Sequence, residues 1–284
     1  MNTLKNKTVV VTGAASGIGA ALAHELALSG AKLMLADVDS TRLHALASEL
    51  REHGVTCLTQ VCDVAQPEAV QALASRTATE LGGADVLINN AGVALIASVQ
   101  SMSMPDARWL MDINFWGVVH GCRAFAEQMQ AKPGCVIVNV SSIFGMISMP
   151  TQAIYNASKG AVRAFSDALR EELRGTSAGH GVRVLCVHPG GIRTRLVEQA
   201  RLGDISGVAN DVQALNREFN RVARTSASQA AVQIVRALSS NATRLLIGHD
   251  ARVLDWLYRL NPSKASQRFH SLLRWMRKRR GSKP

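Results

Sequence analysis

Six short runs, at residues 8–12, 32–36, 55–61, 85–89, 135–140 and 183–187, are rich in Val, Ile and Leu with little polar alternation. That pattern fits strands buried on both faces, as in a parallel sheet covered by helices. Between the runs, residues 18–28, 41–53, 67–81, 105–130 and 153–174 carry apolar positions at helical spacing. Such alternation implies βαβ units, and right-handed crossovers favour a doubly wound α/β sheet with helices on both faces. A seventh strand is expected at 244–247. Ligands of these sheets bind at the carboxyl ends of the strands, so function is sought in the residues after each run.

After the first run comes Thr12-Gly13-Ala14-Ala15-Ser16-Gly17-Ile18-Gly19, opening a helix. Gly13, Gly17 and Gly19 permit tight turning and close approach of a phosphate, and the first helical N–H groups, around Ser16 and Ile18, are there to receive it. The spacing, GxxxGxG, departs from the GxGxxG fingerprint; what raises its weight is its place between strand and helix. The second run ends in Asp37, about 20 residues past the glycines, placed to accept hydrogen bonds from a ribose 2′-hydroxyl. The same carboxylate repels a 2′-phosphate, so NAD is expected over NADP, with Arg42 the one nearby cation that blurs the distinction. A helix N-cap is the other use for such a residue, and Asp39 or Ser40 fits it better. Strand three ends in Asp63-Val64, placed to meet an adenine, and strand four in Asn90-Ala91-Gly92, where small residues let a flat cofactor lie against the sheet.

Strand five ends in Ser141-Ser142, and thirteen residues on comes Tyr155-Asn156-Ala157-Ser158-Lys159. On a helix, Tyr155 and Lys159 share a face. Removing hydride from an alcohol carbon needs a base for the hydroxyl proton, and a free tyrosine, with a pKa near 10, is too weakly ionised near neutrality. A close ammonium and a positive nicotinamide ring both favour tyrosinate, which makes Tyr155 the base for oxidation and the acid for carbonyl reduction. Ser142 is suited to hold the substrate oxygen. Lys159 also suits a bond to the nicotinamide ribose, and Asn114 suits anchoring a water that links Lys159 to solvent.

Together, TGxxxGIG, NNAG, Asn114, the serine pair with YxxxK and the Pro189-Gly190-Gly191-Ile192-Arg193-Thr194 segment resemble the short-chain dehydrogenase/reductase family over residues 5 to about 250. The resemblance implies a Rossmann-type seven-stranded sheet, an Asn114–Ser142–Tyr155–Lys159 tetrad with Ser142 as the catalytic serine, and a homo-oligomer, dimer or tetramer. It also implies that Pro189, Gly190, Ile192 and Thr194 surround the nicotinamide, with the Ile192 backbone and the Thr194 hydroxyl on its carboxamide. The expected activity is NAD-dependent oxidation of a hydrophobic alcohol, or reduction of its ketone. The competing readings are a catalytically retired dinucleotide-binding sensor or docking module, and a tethered scaffold resting on the tail alone.

The segments expected to face substrate are 93–96, the Met- and Ile-rich 143–150, Gly191, and 196–197, with Arg193, Arg195 and Glu198 the charges at the mouth. On apolar pattern alone, the Met and Ile residues serve equally well as core. Residues 195–228 read as a mobile lid within a catalytic domain of residues 1–250.

A net charge of +11 suggests nucleic acid until its distribution is examined. Residues 251–284 hold ten Lys/Arg against one Asp, while the other 250 residues hold 22 against 20. A near-neutral body argues against nucleic acid as the partner. Within the tail, 253–260 reads as one apolar-faced helix, stopped by Asn261-Pro262. Residues 263–280 place Phe269, Leu272, Leu273 and Met276 on one stripe beside Arg268, Arg274 and Arg277–Arg280. That basic amphipathic helix either packs on the body or a partner subunit or lies on an anionic membrane. At 47% hydrophobic and 19% charged residues, the chain is neither disordered nor fibrous. The opening residues lack the pattern of a signal peptide, and the odd count of five cysteines argues against a disulfide framework, so a cytoplasmic location is expected, peripheral at the membrane if the tail binds there. The histidines, His24, His44 and His188 among them, form no metal-ligand grouping, and no metal is expected.

Overall fold

The computed structural model describes residues 4–174, 180–203, 217 and 223–281, and no side chain for Leu273 or for 275–281. Seven strands form one parallel sheet: β1 (Thr8–Thr12), β2 (Lys32–Asp37), β3 (Cys57–Val61), β4 (Val86–Asn89), β5 (Val136–Val140), β6 (Arg183–Pro189) and β7 (Arg244–Ile247). Their order is β3-β2-β1-β4-β5-β6-β7. The chain reverses direction across the sheet between β1 and β4, whose register pairs Val9 with Val86 and Val11 with Ile88. The helices are α1 (Gly17–Leu28), α2 (Ser40–Glu52), α3 (Pro67–Leu81), α4 (Met104–Met111), α5 (Gly117–Gln130), α6 (Ala153–Glu172), α7 (Ala227–Leu238), α8 (His249–Leu260) and α9 (Pro262–Gly281).

Successive strand residues point to opposite faces, and the apolar runs fill both. Val9, Val11, Leu33, Leu35, Val138 and Leu185 belong to one core with Leu22 and Leu26 of α1 and Ile234 of α7. Val10, Met34, Leu87, Ile137 and Val184 belong to the other, with Leu73 of α3, Phe125 and Met129 of α5 and Val162 of α6. The doubly wound sheet read from the apolar runs is therefore the fold, seventh strand included.

Two local differences have physical reasons. The third strand begins at Cys57; Val55 precedes the ladder, in the loop that leaves α2. The single helix expected over 105–130 is split by a π turn at Asp112–Trp116, and its two parts pack apart: Leu110 of α4 beside Tyr155, Phe125 and Met129 of α5 in the core of the sheet. Parts of the expected lid, 204–216 and 218–222, lie outside the described residues. Its described ends are tied down: Arg201–Leu202 pairs with Leu95–Ile96, and Thr225–Ser226 with Ile192–Arg193. No helix among the described residues is long and apolar enough to cross a membrane.

Candidate active site

The loop after β1 and the loop after β4 are built as one unit. Thr12 Oγ1 accepts from the backbone N–H groups of Asn90 (3.1 Å) and Ala91 (3.2 Å). In return the Asn90 amide donates to the carbonyls of Thr12 (2.9 Å) and Gly13 (3.0 Å). The glycines are demanded by this closeness. A Cβ on Gly13, whose φ is +63°, would stand 2.7 Å from Ala91 Cα, and one on Gly19 would run into the Gly13 carbonyl oxygen. Ser16 caps α1 without a side-chain bond, and the first turn holds no acidic residue. The N–H groups there remain available to an anion such as a dinucleotide phosphate, and the glycine cradle leaves the space for it.

Asp37 closes the edge of this cradle. Its carboxylate accepts from Ala15 N (2.8 Å) and Asp39 N (3.0 Å), which fixes it at the end of β2. Capping of α2 falls to Asp39, which accepts from Arg42 N at 3.0 Å. The Arg42 guanidinium lies 3.4 Å from the same Asp39, so it is turned away from neutralising Asp37. Asp63 is exposed and accepts from Ala65 N at 3.0 Å, while the buried Val64 rests on Gly117, where a Cβ would sit 2.7 Å from Val64 Cγ2.

Four buried side chains gather beyond the ends of β4 and β5. Asn114 lies in the π turn and is wholly buried. Its Oδ1 accepts from Val93 N (2.8 Å), and its Nδ2 donates to Val93 O (2.9 Å) and to Ser158 Oγ (3.3 Å). Its side chain thereby fixes the strand-four loop. The two serines after β5 diverge. Ser141 Oγ donates to the Lys159 carbonyl (2.7 Å), whereas Ser142 hydrogen-bonds the Tyr155 phenol and accepts from Phe144 N at 3.1 Å. Lys159 follows Tyr155 by one turn of α6, donates from Nζ to Val140 O at 3.0 Å, and holds that nitrogen 5.9 Å from the centre of the Tyr155 ring.

The expected tyrosinate rests on the ammonium and the nicotinamide ring together; without the ring, burial dominates both groups. Burial pushes the phenol up, opposed only by the Ser142 hydrogen bond. Burial also brings the Lys159 ammonium down to about 8. Desolvation penalises the charged form of each and is the largest cause in both.

The apolar segment after Ser142 divides in a way the pattern did not show. Ile143, Met146 and Ile147 are buried against Ala251, Leu254 and Ala265 of α8 and α9, so they are core. The apolar side chains around Tyr155 are Leu95, Ala97 and Leu110, with Val93, Trp109, Phe144 and Ile154 half-buried beside them. At the mouth Arg195 pairs with Glu198 (3.2 Å). Sequence reasoning also missed Arg201, which pairs with Asp106 (2.7 Å) and lies 3.7 Å over the Trp109 ring.

The segment after β6 hangs over the start of α1: the Thr194 methyl lies 3.4 Å from where a Gly17 Cβ would be. Its turn is held from below by a residue with no sequence signal. Asp250 Oδ2 accepts from Gly191 N at 2.6 Å.

A family model described as short chain dehydrogenase matches residues 7–204. The chain belongs to the short chain dehydrogenase family. It is an oxidoreductase of that family, whose members bind a nicotinamide cofactor. A Mycobacterium tuberculosis protein named SadH is 39% identical over 261 residues, covering 92% of each chain. The 1-deoxy-11-beta-hydroxypentalenate dehydrogenase of Streptomyces exfoliatus is 36% identical over 221 residues, covering 75% of this chain and 78% of its own. Among solved structures, a short chain dehydrogenase/reductase from Burkholderia phymatum in complex with NAD superposes with a TM-score of 0.82, at 30% identity, over 94% of this chain and 97% of its own.

Proposed function

We propose that this protein is an NAD-preferring dehydrogenase that oxidises a hydrophobic alcohol or, in reverse, reduces the corresponding ketone. One observation carries the reading: Ser142, Tyr155 and Lys159 are buried together beside the loop that Asn114 fixes. A retired sensor has no need to keep that set intact.

In oxidation, Ser142 Oγ donates to the substrate oxygen and Tyr155 Oη takes the hydroxyl proton; in reduction the same Oη returns it. Bound nicotinamide supplies the hydride acceptor or donor. Lys159 Nζ, near the Val140 carbonyl, is placed to reach the ribose and to relay the Tyr155 proton outward. Asn114, held by Val93 and Ser158, is placed to anchor the water that links Lys159 to solvent. Gly13, Ser16, Gly17, Ile18 and Gly19 hold the pyrophosphate, Asp37 the adenosine ribose, and Asp63 and Val64 the adenine. Asn90, Ala91 and Gly92 flank the nicotinamide side, and Pro189, Gly190, Ile192 and Thr194 surround its carboxamide. Asp37 supports NAD over NADP, since Arg42 pairs with Asp39 instead.

The apolar surround of Tyr155 supports a hydrophobic substrate. We further take residues 1–250 as the catalytic unit, with 251–284 as its extension and 195–228 as a lid, and the active form as a cytoplasmic homo-oligomer. Five buried cysteines, all unpaired, support a reducing compartment.

The test is nicotinamide absorbance with NAD and NADP separately, across linear, cyclic and steroid alcohols, with Tyr155→Phe alongside. NAD-dependent turnover that the variant loses supports the reading. Tight NAD binding with no turnover on any alcohol or ketone of the panel returns the sensor.

A further inference from the structure

The tail resolves into a hairpin of two helices with opposite loyalties. Its inner side is fastened to the body. Ala251 and Leu254 of α8 and Ala265 of α9 are buried against Ile143, Met146 and Ile147, and Phe269 packs on the same cluster. Ser148 N donates to Ser266 Oγ at 3.0 Å, and His270 Nε2 lies 2.9 Å from Ser148 O. Asp255 is buried under Arg244 and Arg259, with Arg259 Nε at 2.9 Å. The hairpin is thus tied to the loop that begins at Ser142. Phe269, one of the apolar stripe read from 263–280, takes the first of its two expected uses and packs on the body.

The outer side is apolar and basic. On α8, Val253, Trp256 and Leu260 are exposed by 42, 60 and 58%. At 3.6 residues per turn they fall on one side, with the exposed Arg252 and Arg259 together along one edge of it. On α9 the exposed positions include Lys264, Arg268, Leu272 and Arg274. This lies in the stretch where ten Lys/Arg face one Asp in sequence, against near balance elsewhere.

We propose that the outer face of the α8–α9 hairpin docks on an anionic lipid bilayer. Charge and apolarity together select that occupant. A second copy meeting the same face by two-fold symmetry would set one basic surface against another. A nucleic-acid backbone would satisfy the charges and leave Val253, Trp256 and Leu260 without a use, because its contacts go chiefly to phosphate and sugar. A bilayer interface takes both: apolar side chains enter the headgroup–acyl boundary, tryptophan is favoured at that level, and flanking cations meet anionic headgroups. Binding there brings the loop after Ser142 close to the lipid surface. The docking itself goes beyond the oxidoreductase reading and does not depend on it.

The experiment is co-sedimentation of the full chain with vesicles of phosphatidylglycerol and phosphatidylcholine, and with phosphatidylcholine alone. Circular dichroism serves as the folding check, so the outcome does not depend on turnover. The chain is expected to sediment with the anionic vesicles and not the neutral ones, and to be released at about 1 M salt, where the Debye length shrinks to about 3 Å. Trp256→Ser with Leu260→Ser is expected to lower partitioning at least about tenfold. Lys264→Glu with Arg268→Glu is expected to do so independently, since each cation near an anionic surface is worth about fivefold. No sedimentation with anionic vesicles overturns the proposal. So does wild-type partitioning of the serine variant, which would reduce the effect to charge alone. If the serine variant lowers the molar mass by light scattering, the face is a contact between copies. If both variants weaken duplex DNA binding and leave vesicle binding intact, the partner is nucleic acid.

Discussion

Asp250 fastens the turn that follows β6 by accepting a 2.6 Å hydrogen bond from Gly191 N, across 59 residues of chain. A side chain at Gly190 or at Gly248 would collide with that carboxylate, so the site is shaped around it. The turn leads into Ile192 and Thr194, which are proposed to hold the carboxamide. A hydrogen bond to a charged group is worth about 1.5–3 kcal/mol, so Asp250→Ala is expected to raise the KM for the dinucleotide about tenfold. The kcat should change by less than about threefold, because the residue binds without entering the proton transfer. Asp250→Asn keeps an acceptor and should fall between. Steady-state kinetics decide it; an undisturbed KM in Asp250→Ala would remove the positioning role.

Tyr155→Phe removes the one hydroxyl placed to exchange the substrate proton. General acid–base catalysis contributes about 10²–10⁴-fold, and a loss of that size in kcat is expected. The phenyl ring fills the same buried space, so dinucleotide affinity by fluorescence titration should stay within about twofold. A variant with near wild-type turnover would assign the proton to another group.

Asp37 has two jobs that pull a substitution in opposite directions. It accepts from Ala15 N at 2.8 Å, and it is proposed to face the 2′-substituent of the dinucleotide. Asp37→Ala should therefore lower kcat/KM with NAD while raising it with NADP. Relief of a like-charge contact at a partly exposed site makes the expected fall in the NAD:NADP ratio about tenfold or more. A wild-type protein that uses both cofactors equally would show that Asp37 does not discriminate.

Much of this was legible in the sequence because the relevant signals are local. The apolar runs became strands because a doubly covered sheet needs both faces of each strand apolar, and YxxxK survives as a helical pair. What escaped involves partners far apart or geometry with no periodic trace. Asp250 and Gly191 are one such pair. The engagement of Ser141 by the Lys159 carbonyl is another, and it separates two adjacent identical residues that only the family resemblance had ranked. Ile143, Met146 and Ile147 fit a substrate pocket and a core equally well until α8 and α9 were seen to cover them.

Lys159 should make the free protein less stable than it would otherwise be. Burial lowers its pKa from the ordinary 10.5 to about 8, so the folded chain binds fewer protons than the unfolded one between those values. Stability then rises with pH through that window, and below about pH 8 the folded chain bears the full cost of a buried ammonium. At 1.36 kcal/mol per unit the cost approaches about 3 kcal/mol, offset by about 1 kcal/mol for the hydrogen bond to Val140 O. Lys159→Met is accordingly expected to stabilise the cofactor-free protein by about 2 kcal/mol near pH 7. The gain should shrink as the pH approaches about 9.5, while turnover is lost at every pH. Denaturant unfolding of both proteins at the two pH values measures this directly. A variant less stable than wild type near pH 7 would mean that the hydrogen bond to Val140, and not desolvation, dominates at this site.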